Sequence, residues 1–175
     1  MRRILDWLYT VSGVLAGVFL ILIAALSLAQ ICGRMLGFDA YSFDDFAGFC
    51  MAASSFLGLA HTYRRNEHIR VGMVVDRLSG NARRVAESAC LAASTFLIGY
   101  FAWFAGDMVL TSYQFHDMSQ GLVAVPLWLP QSGMALGLAI MTIALFEDLL
   151  TALAGGTPCY LVAEREKKIA LSENI

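Results

Sequence analysis

The side chains able to do acid–base, redox or metal chemistry are few in this chain. Its 175 residues include three His and four Cys, namely His61, His68, His116, Cys32, Cys50, Cys90 and Cys159. The Cys residues show no close metal-ligand spacing, and the His residues lack the pairing across helices that a membrane haem needs. Hydrolase, zinc-protease and nucleotide-binding motifs are absent. We therefore expect no enzyme activity, no metal site and no cofactor in this chain.

Two features of these polar residues leave an alternative open. His61 is the only His within a long uncharged stretch and lies close to Arg64. We interpret it as an interfacial polar residue, with a proton relay as the alternative. Cys32 and Cys50 can approach each other and form a disulfide, but isolated Cys in membrane helices more often behave as small apolar residues.

The composition indicates what kind of element holds these residues. Hydrophobic residues make up 58% of the chain and charged residues 15%, with a mean hydropathy of +0.65. Soluble domains contain roughly 45–50% apolar and 25% charged residues, so lipid must cover the excess here. The net charge of -2 gives no basic surface for nucleic acid.

Four long stretches without Lys, Arg, Asp or Glu are each of about the 20 residues that a helix needs to cross a bilayer. We expect an all-α integral membrane protein with one membrane domain over residues 1–175 and spans at about 8–32, 45–63, 87–106 and 124–147. All charged side chains are expected to lie outside the spans. The alternative for the first stretch is a cleaved signal peptide ending at Ala29, but its apolar part is longer than a signal peptide requires.

The basic residues predict the orientation. Two Lys or Arg precede the first span, six lie between spans 2 and 3 and three lie in the tail, whereas only Arg34 lies between spans 1 and 2. The positive-inside rule then places both termini, the loop between spans 2 and 3 and the tail at 155–175 in the cytoplasm. Within that loop, Val71, Val74, Val75 and Leu78 have helical spacing. They predict a short amphipathic helix at the membrane interface, or a cytoplasmic helix packed on its neighbours.

Small and aromatic residues predict how the spans are packed and anchored. Pairs of small residues four apart allow close approach of helices in lipid, either within the bundle or with a partner chain. The glycines concerned are Gly13, Gly17, Gly58, Gly133 and Gly137. Aromatic residues near span ends are expected to lie at the headgroup level. They are Trp7, Tyr9, Tyr63, Tyr113 and Trp128.

Three motifs resemble a known family. Asp44-Asp45 gives the second span an acidic start, and Gly58-Leu-Ala-His-Thr-Tyr-Arg-Arg-Asn-Glu-His-Ile-Arg-Val71 runs from the end of that span into the following loop, continued by Val74-Val75-Asp76-Arg77-Leu78. A later stretch reads Ser119-Gln-Gly-Leu-Val-Ala-Val-Pro-Leu-Trp-Leu-Pro-Gln-Ser-Gly133. Together they resemble the small membrane subunit, also called Q-type or DctQ-like, of tripartite ATP-independent periplasmic (TRAP) transporters.

The resemblance implies a multi-pass protein of the bacterial inner membrane that joins two partners. These are a large multispanning permease subunit, which carries the solute and Na⁺ sites, and an extracytoplasmic solute-binding protein. The chain would act as a scaffold in Na⁺-coupled uptake of an organic acid, in particular a carboxylate. The alternatives are an accessory or assembly protein of another complex and a small autonomous transporter.

The absence of charge within the spans, the amphipathic loop and the resemblance together motivate a hypothesis about two groups of contact residues. The five glycines are candidates for helix packing or for contacts with the large subunit. A basic group at the inner interface is a candidate for contacts with phospholipid phosphates or with the large subunit. Its members are Arg64, Arg65, His68, Arg70 and Arg77.

Overall fold

The computed structural model describes residues 2–37, 42–64, 81–121 and 123–154, without the side chains of 2–6, 64 and 81–84. These residues form four α-helices: α1 (Arg2–Leu36), α2 (Ser42–Arg64), α3 (Asn81–Phe115) and α4 (Trp128–Leu153). The only extended pairing among them is an isolated antiparallel bridge between Met118 and Pro126. The expected all-α fold with four helices is confirmed.

The helices pack as a row in the order α1, α2, α4, α3. Helix α2 packs along both α1 and α4, α3 packs along α4, and α1 touches α4 at only a few positions. The two middle helices therefore have neighbours on two sides, while α1 and α3 form the edges. Apolar side chains at these edges are open, with Ile21 of α1 71% exposed and Trp103 of α3 77% exposed.

Three helical segments within the described residues are long and apolar enough to cross a membrane. They are Trp7–Leu36, Val85–Phe115 and Trp128–Leu153. Helix α2 is not among the helices that are long and apolar enough, so the span expected at 45–63 stays a prediction. Its place in the row accounts for its composition, because a helix covered on two sides needs fewer large apolar residues. Small side chains such as Ala53 and Ala60 are buried there instead.

The helix ends differ from the expected span limits, which themselves stay a prediction. Helix α3 continues to Phe115, well beyond the expected limit at 106. Helix α4 begins at Trp128 rather than at 124, because the chain before it forms a paired loop. In that loop the Ser119 amide donates to the Val125 carbonyl at 2.8 Å and the Leu127 amide donates to the Asp117 carbonyl at 3.0 Å.

The far end of α4 corrects one expectation. The helix includes Glu147 and Asp148 before it ends at Leu153, and Asp148 is buried, with 3% of its surface exposed. The candidate Trp128–Leu153 thus contains a buried carboxylate, and the candidate Val85–Phe115 contains Glu87 and Asp107, so the expectation that all charged side chains lie outside the spans does not hold for these two candidates. The uncharged stretch ends at Phe146, directly before this acidic pair, and the expected span limit at 147 falls between the two acidic residues.

Some expected features lie outside the described residues. They are the amphipathic helix at 71–78, the tail at 155–175 and the side chains of Arg65, His68, Arg70 and Arg77. The backbone of Arg64 closes α2, but its side chain is not among those described.

Candidate functional site

The first candidate site is the seam between α1 and α2, where each helix donates a side-chain hydrogen bond to the backbone of the other. The Ser54 hydroxyl of α2 donates to the Ala16 carbonyl of α1 at 3.0 Å. In the opposite direction, the Ser12 hydroxyl of α1 donates to the Leu57 carbonyl of α2. All four residues are buried. Such bonds hold helices together where apolar burial gives no preference over lipid.

His61 extends the same seam by one further turn of α2. Its Nδ1 lies 3.1 Å from the Tyr9 carbonyl oxygen of α1 and donates to it. The ring can approach because Gly13 faces it: a Cβ at Gly13 would lie 2.5 Å from His61 Cγ. His61 is therefore a helix-joining residue, and its interpretation as an interfacial polar residue stays a prediction.

The second seam joins α2 to α4 through two glycines. A Cβ at Gly133 would lie 3.0 Å from the Ala53 Cβ, and a Cβ at Gly137 would lie 2.8 Å from the Leu57 nitrogen and still closer to the Phe56 carbonyl group. At Gly137 the obstacle is backbone, which cannot swing aside. Glycine at this position is what lets α4 lie directly against the α2 backbone.

Tyrosine–carboxylate hydrogen bonds join α4 to both α2 and α1. The Tyr63 hydroxyl of α2 donates to Asp148 Oδ2 of α4 at 2.8 Å, and the Tyr9 hydroxyl of α1 donates to Glu147 Oε2 at 3.4 Å. Tyr9 is 2% exposed and Tyr63 7% exposed. The expectation that these two rings are headgroup anchors is therefore wrong, since they face carboxylates inside the bundle.

The exposed aromatic residues differ from this pair. Trp7 is 67% exposed and Tyr113 is 63% exposed. Tyr113 also packs edge-on against Trp128 with ring centroids 5.8 Å apart, which ties the end of α3 to the start of α4. Position near a span end therefore did not distinguish outward-facing rings from buried ones. The feature of the sequence that could have indicated partners for Tyr9 and Tyr63 was the Glu147-Asp148 pair, which lies near the end of α4.

The five glycines do not share one environment. Gly13 and Gly58 lie in the α1–α2 seam, although a Cβ at Gly58 would make only an ordinary contact of 3.7 Å with the Ala16 Cβ. Gly133 and Gly137 lie in the α2–α4 seam. Gly17 is different, because a Cβ there would meet nothing within 4 Å. Of the five glycines, Gly17 is the one whose added side chain finds open space.

Sequence reasoning missed Ser12 and Ser54 as joining residues. Serine is common at helix surfaces and its spacing alone does not say whether a partner carbonyl lies opposite. Ser54 and Gly58 form one of the pairs of small residues four apart, and both lie on the face of α2 that packs against α1. This spacing does not by itself show that the Ser54 hydroxyl donates a hydrogen bond. Within the described part of the chain, no three His, Cys, Asp or Glu side chains are grouped to hold a metal ion. Cys32 and Cys50 are free thiols, so the alternative disulfide is not formed.

The fold and its seams define a class: a small α-helical membrane protein whose buried polar groups join its own helices. Comparison with protein families then identifies the family. The family described as "Tripartite ATP-independent periplasmic transporters, DctQ component" matches residues 23–155, which include all of α2, α3 and α4 and the second part of α1. The chain belongs to this family, and the resemblance seen in its motifs is confirmed. A search of curated proteins finds no match.

Membership places the chain among the small permease subunits of TRAP transporters. This is a family of transporter components and not of enzymes, and its members work in a tripartite system with a large permease and a solute-binding protein.

Proposed function

We propose that the chain is a fixed scaffold for the large multispanning TRAP subunit in Na⁺-coupled, binding-protein-dependent uptake of an organic acid, in particular a carboxylate. In this proposal the solute and Na⁺ bind the large subunit, and the chain itself takes no cofactor. Movement of a transport domain requires a part of the complex that stays still, and this chain enlarges that part.

The observation that carries the proposal is the way both seams are fixed. The reciprocal bonds of Ser12 and Ser54 hold α1 to α2, and the close approach at Gly137 together with the Tyr63–Asp148 bond holds α2 to α4. Packed interfaces of this kind resist sliding because a shift of one helix breaks several contacts at once. A row of helices fixed in this way supports a static role.

The membrane placement belongs to the same proposal. We place both termini in the cytoplasm of a bacterium and the chain in its inner membrane. In this placement α2 crosses the membrane together with the three helices that are long and apolar enough to do so. The Arg-rich segment between α2 and α3 then faces the anionic inner leaflet, where each basic residue contributes about 1 kcal/mol. Arg64, Arg65, His68, Arg70 and Arg77 would contact phospholipid phosphates or the large subunit there.

Two experiments test this proposal. A tag on this chain should co-purify the large subunit from native membranes, identified by mass spectrometry. In proteoliposomes with a Na⁺ gradient and the solute-binding protein, uptake from a panel of radiolabelled carboxylates should require both membrane subunits. Uptake by this chain alone would establish an autonomous transporter, and normal uptake by the large subunit alone would establish an assembly protein.

Gly17 offers the cleanest probe of the contact with the large subunit. Gly17→Leu adds a side chain where the chain's own helices leave open space, so it should weaken co-purification without unfolding the bundle. Gly58→Ala, which adds only an ordinary internal contact, serves as the matched control. Unchanged co-purification of the Gly17 variant would remove this face of α1 from the interface.

A further inference from the structure

A groove of about 580 Å³ runs between α3 and α4 on one side of the row. This volume lies in the range of small-molecule sites. Its lining includes the small residues Ala102, Gly106, Ala135 and Ala139. The lining on α3 extends from Ala102 to Leu110 and the lining on α4 from Ser132 to Ala139, a length of about 12 Å at the helical rise per residue.

One carboxylate interrupts this apolar lining. Asp107 lines the groove near the end of the bundle where α3 ends and α4 begins, together with the Ser132 hydroxyl. Asp107 is exposed and lies within the membrane-span candidate Val85–Phe115. It lies toward the end of this segment, and an ionised carboxylate there attracts a cation.

The described part of the chain supplies no such cation. No hydrogen bond or ion pair joins Asp107 to any residue that the structure describes. Arg34 is the basic residue at the same end of the bundle, but it closes α1, which lies at the opposite edge of the row from α3. A cation that pairs with Asp107 therefore comes from outside the described residues, and an ammonium in the lipid headgroup layer is one that can reach it.

We propose that this groove binds phosphatidylethanolamine, with one acyl chain along the small residues and the headgroup ammonium on the Asp107 carboxylate. The Ser132 hydroxyl donates to the Leu129 carbonyl at 2.6 Å, so its oxygen remains able to accept a further hydrogen bond from the ammonium. An ammonium offers three donors, enough for both groups.

The depth of the site fits a phospholipid of the nearer leaflet. Asp107 lies eight residues before the end of α3, about 12 Å along the helix axis, and Ser132 lies one turn inside α4. The charged atoms thus lie near the headgroup level and the groove continues from them toward the middle of the span. An anionic lipid such as phosphatidylglycerol lacks the ammonium and is repelled by the carboxylate.

The test is native mass spectrometry of the full-length chain, alone and as purified with its large subunit. The protein is exposed to an equimolar mixture of phosphatidylethanolamine and phosphatidylglycerol. We expect a preference for phosphatidylethanolamine that Asp107→Asn lowers about fivefold, the effect of losing one charge pair at the membrane surface. Asp107→Glu should keep the preference.

Two further variants separate the groove from the charge. Ala135→Leu fills the channel and should reduce adducts of both lipids, while thermal unfolding in detergent reports whether the bundle is intact. Asp117→Asn, which removes an exposed carboxylate of the neighbouring loop that does not line the groove, should leave the preference unchanged.

Three outcomes would overturn the inference. One is an equal preference in Asp107→Asn and the unmodified protein. Another is an equal loss in the Asp117 variant, which would indicate general surface charge. The third is efficient disulfide cross-linking of Leu136→Cys to cysteines introduced in the large subunit, which would show that a protein helix fills the groove.

Discussion

The close approach of α4 to α2 at Gly137 allows a graded prediction for four of the five glycines. Gly137→Ala places a methyl group 2.8 Å from the Leu57 nitrogen and 2.5 Å from the Phe56 carbonyl oxygen. Favourable contacts begin at about 3.5 Å, so the two helices must separate by about 1 Å. Forcing an extra methyl group into a packed core costs about 1–3 kcal/mol, and we expect a loss of stability at the upper end of that range.

Two other glycines provide matched controls for this substitution. Gly17→Ala meets nothing within 4 Å and Gly58→Ala meets only the Ala16 Cβ at 3.7 Å. Neither change should destabilise the bundle, and each should gain up to about 1 kcal/mol because alanine is the better helix former. Gly133→Ala, with its Cβ at 3.0 Å from the Ala53 Cβ, should fall between the two groups.

The assay is reversible unfolding of the four purified variants by SDS titration, with thermal unfolding in a mild detergent as a second measure. The predicted order of stability is Gly17 and Gly58 variants first, then the Gly133 variant, then the Gly137 variant. Equal stability of the Gly137 and Gly17 variants would refute the close approach of α4 to the α2 backbone. It would also return Gly137 to the candidates for contact with the large subunit.

Three further predictions concern the polar bonds and the orientation. Tyr63→Phe removes the donor to the buried Asp148 carboxylate and should lower the free energy of unfolding by about 0.5–1.5 kcal/mol, the usual net contribution of one hydrogen bond; no loss in SDS titration would contradict the bond. Ser54→Ala should cost only about 0.6 kcal/mol, the usual value for hydrogen bonds between membrane helices, and a loss several times larger would require another role for this serine. In a variant without native Cys, Gln120→Cys should react with an impermeant maleimide added to intact cells and Arg84→Cys should not; the reverse pattern would invert the proposed topology. Gln120 is chosen over Ser119 because the Ser119 hydroxyl is bonded within the loop.

The packing also decides which glycines can report on the large subunit. In the sequence, Gly17 and Gly137 are equivalent, because both belong to a pair of small residues four apart. In the structure, the backbone of α2 fills the space beside Gly137, whereas the space beside Gly17 is open. Gly137→Leu would reduce co-purification of the large subunit because it damages the bundle itself. Of these two glycines, only Gly17 therefore tests the interface with the large subunit directly.

The sequence by itself determined the class of protein, the four helices and the family. Apolar composition and the length of uncharged stretches depend on the chain alone, since lipid imposes the same requirement on any helix that crosses it. The motifs at Gly58–Val71 and Ser119–Gly133 likewise identify the family from the sequence alone, because each is a continuous segment of the chain.

The tertiary structure decided which side chains face one another. Periodicity places Ser12 and Ser54 on helix faces, but only the row order of α1, α2 and α4 brings each hydroxyl to a carbonyl of the neighbouring helix. The burial of Asp148 beside Tyr63 likewise depends on two helices 85 residues apart in the chain. In the sequence, Asp148 resembles the polar end of a span. In the structure it joins two helices, because packing brings Tyr63 to it from a distant part of the chain.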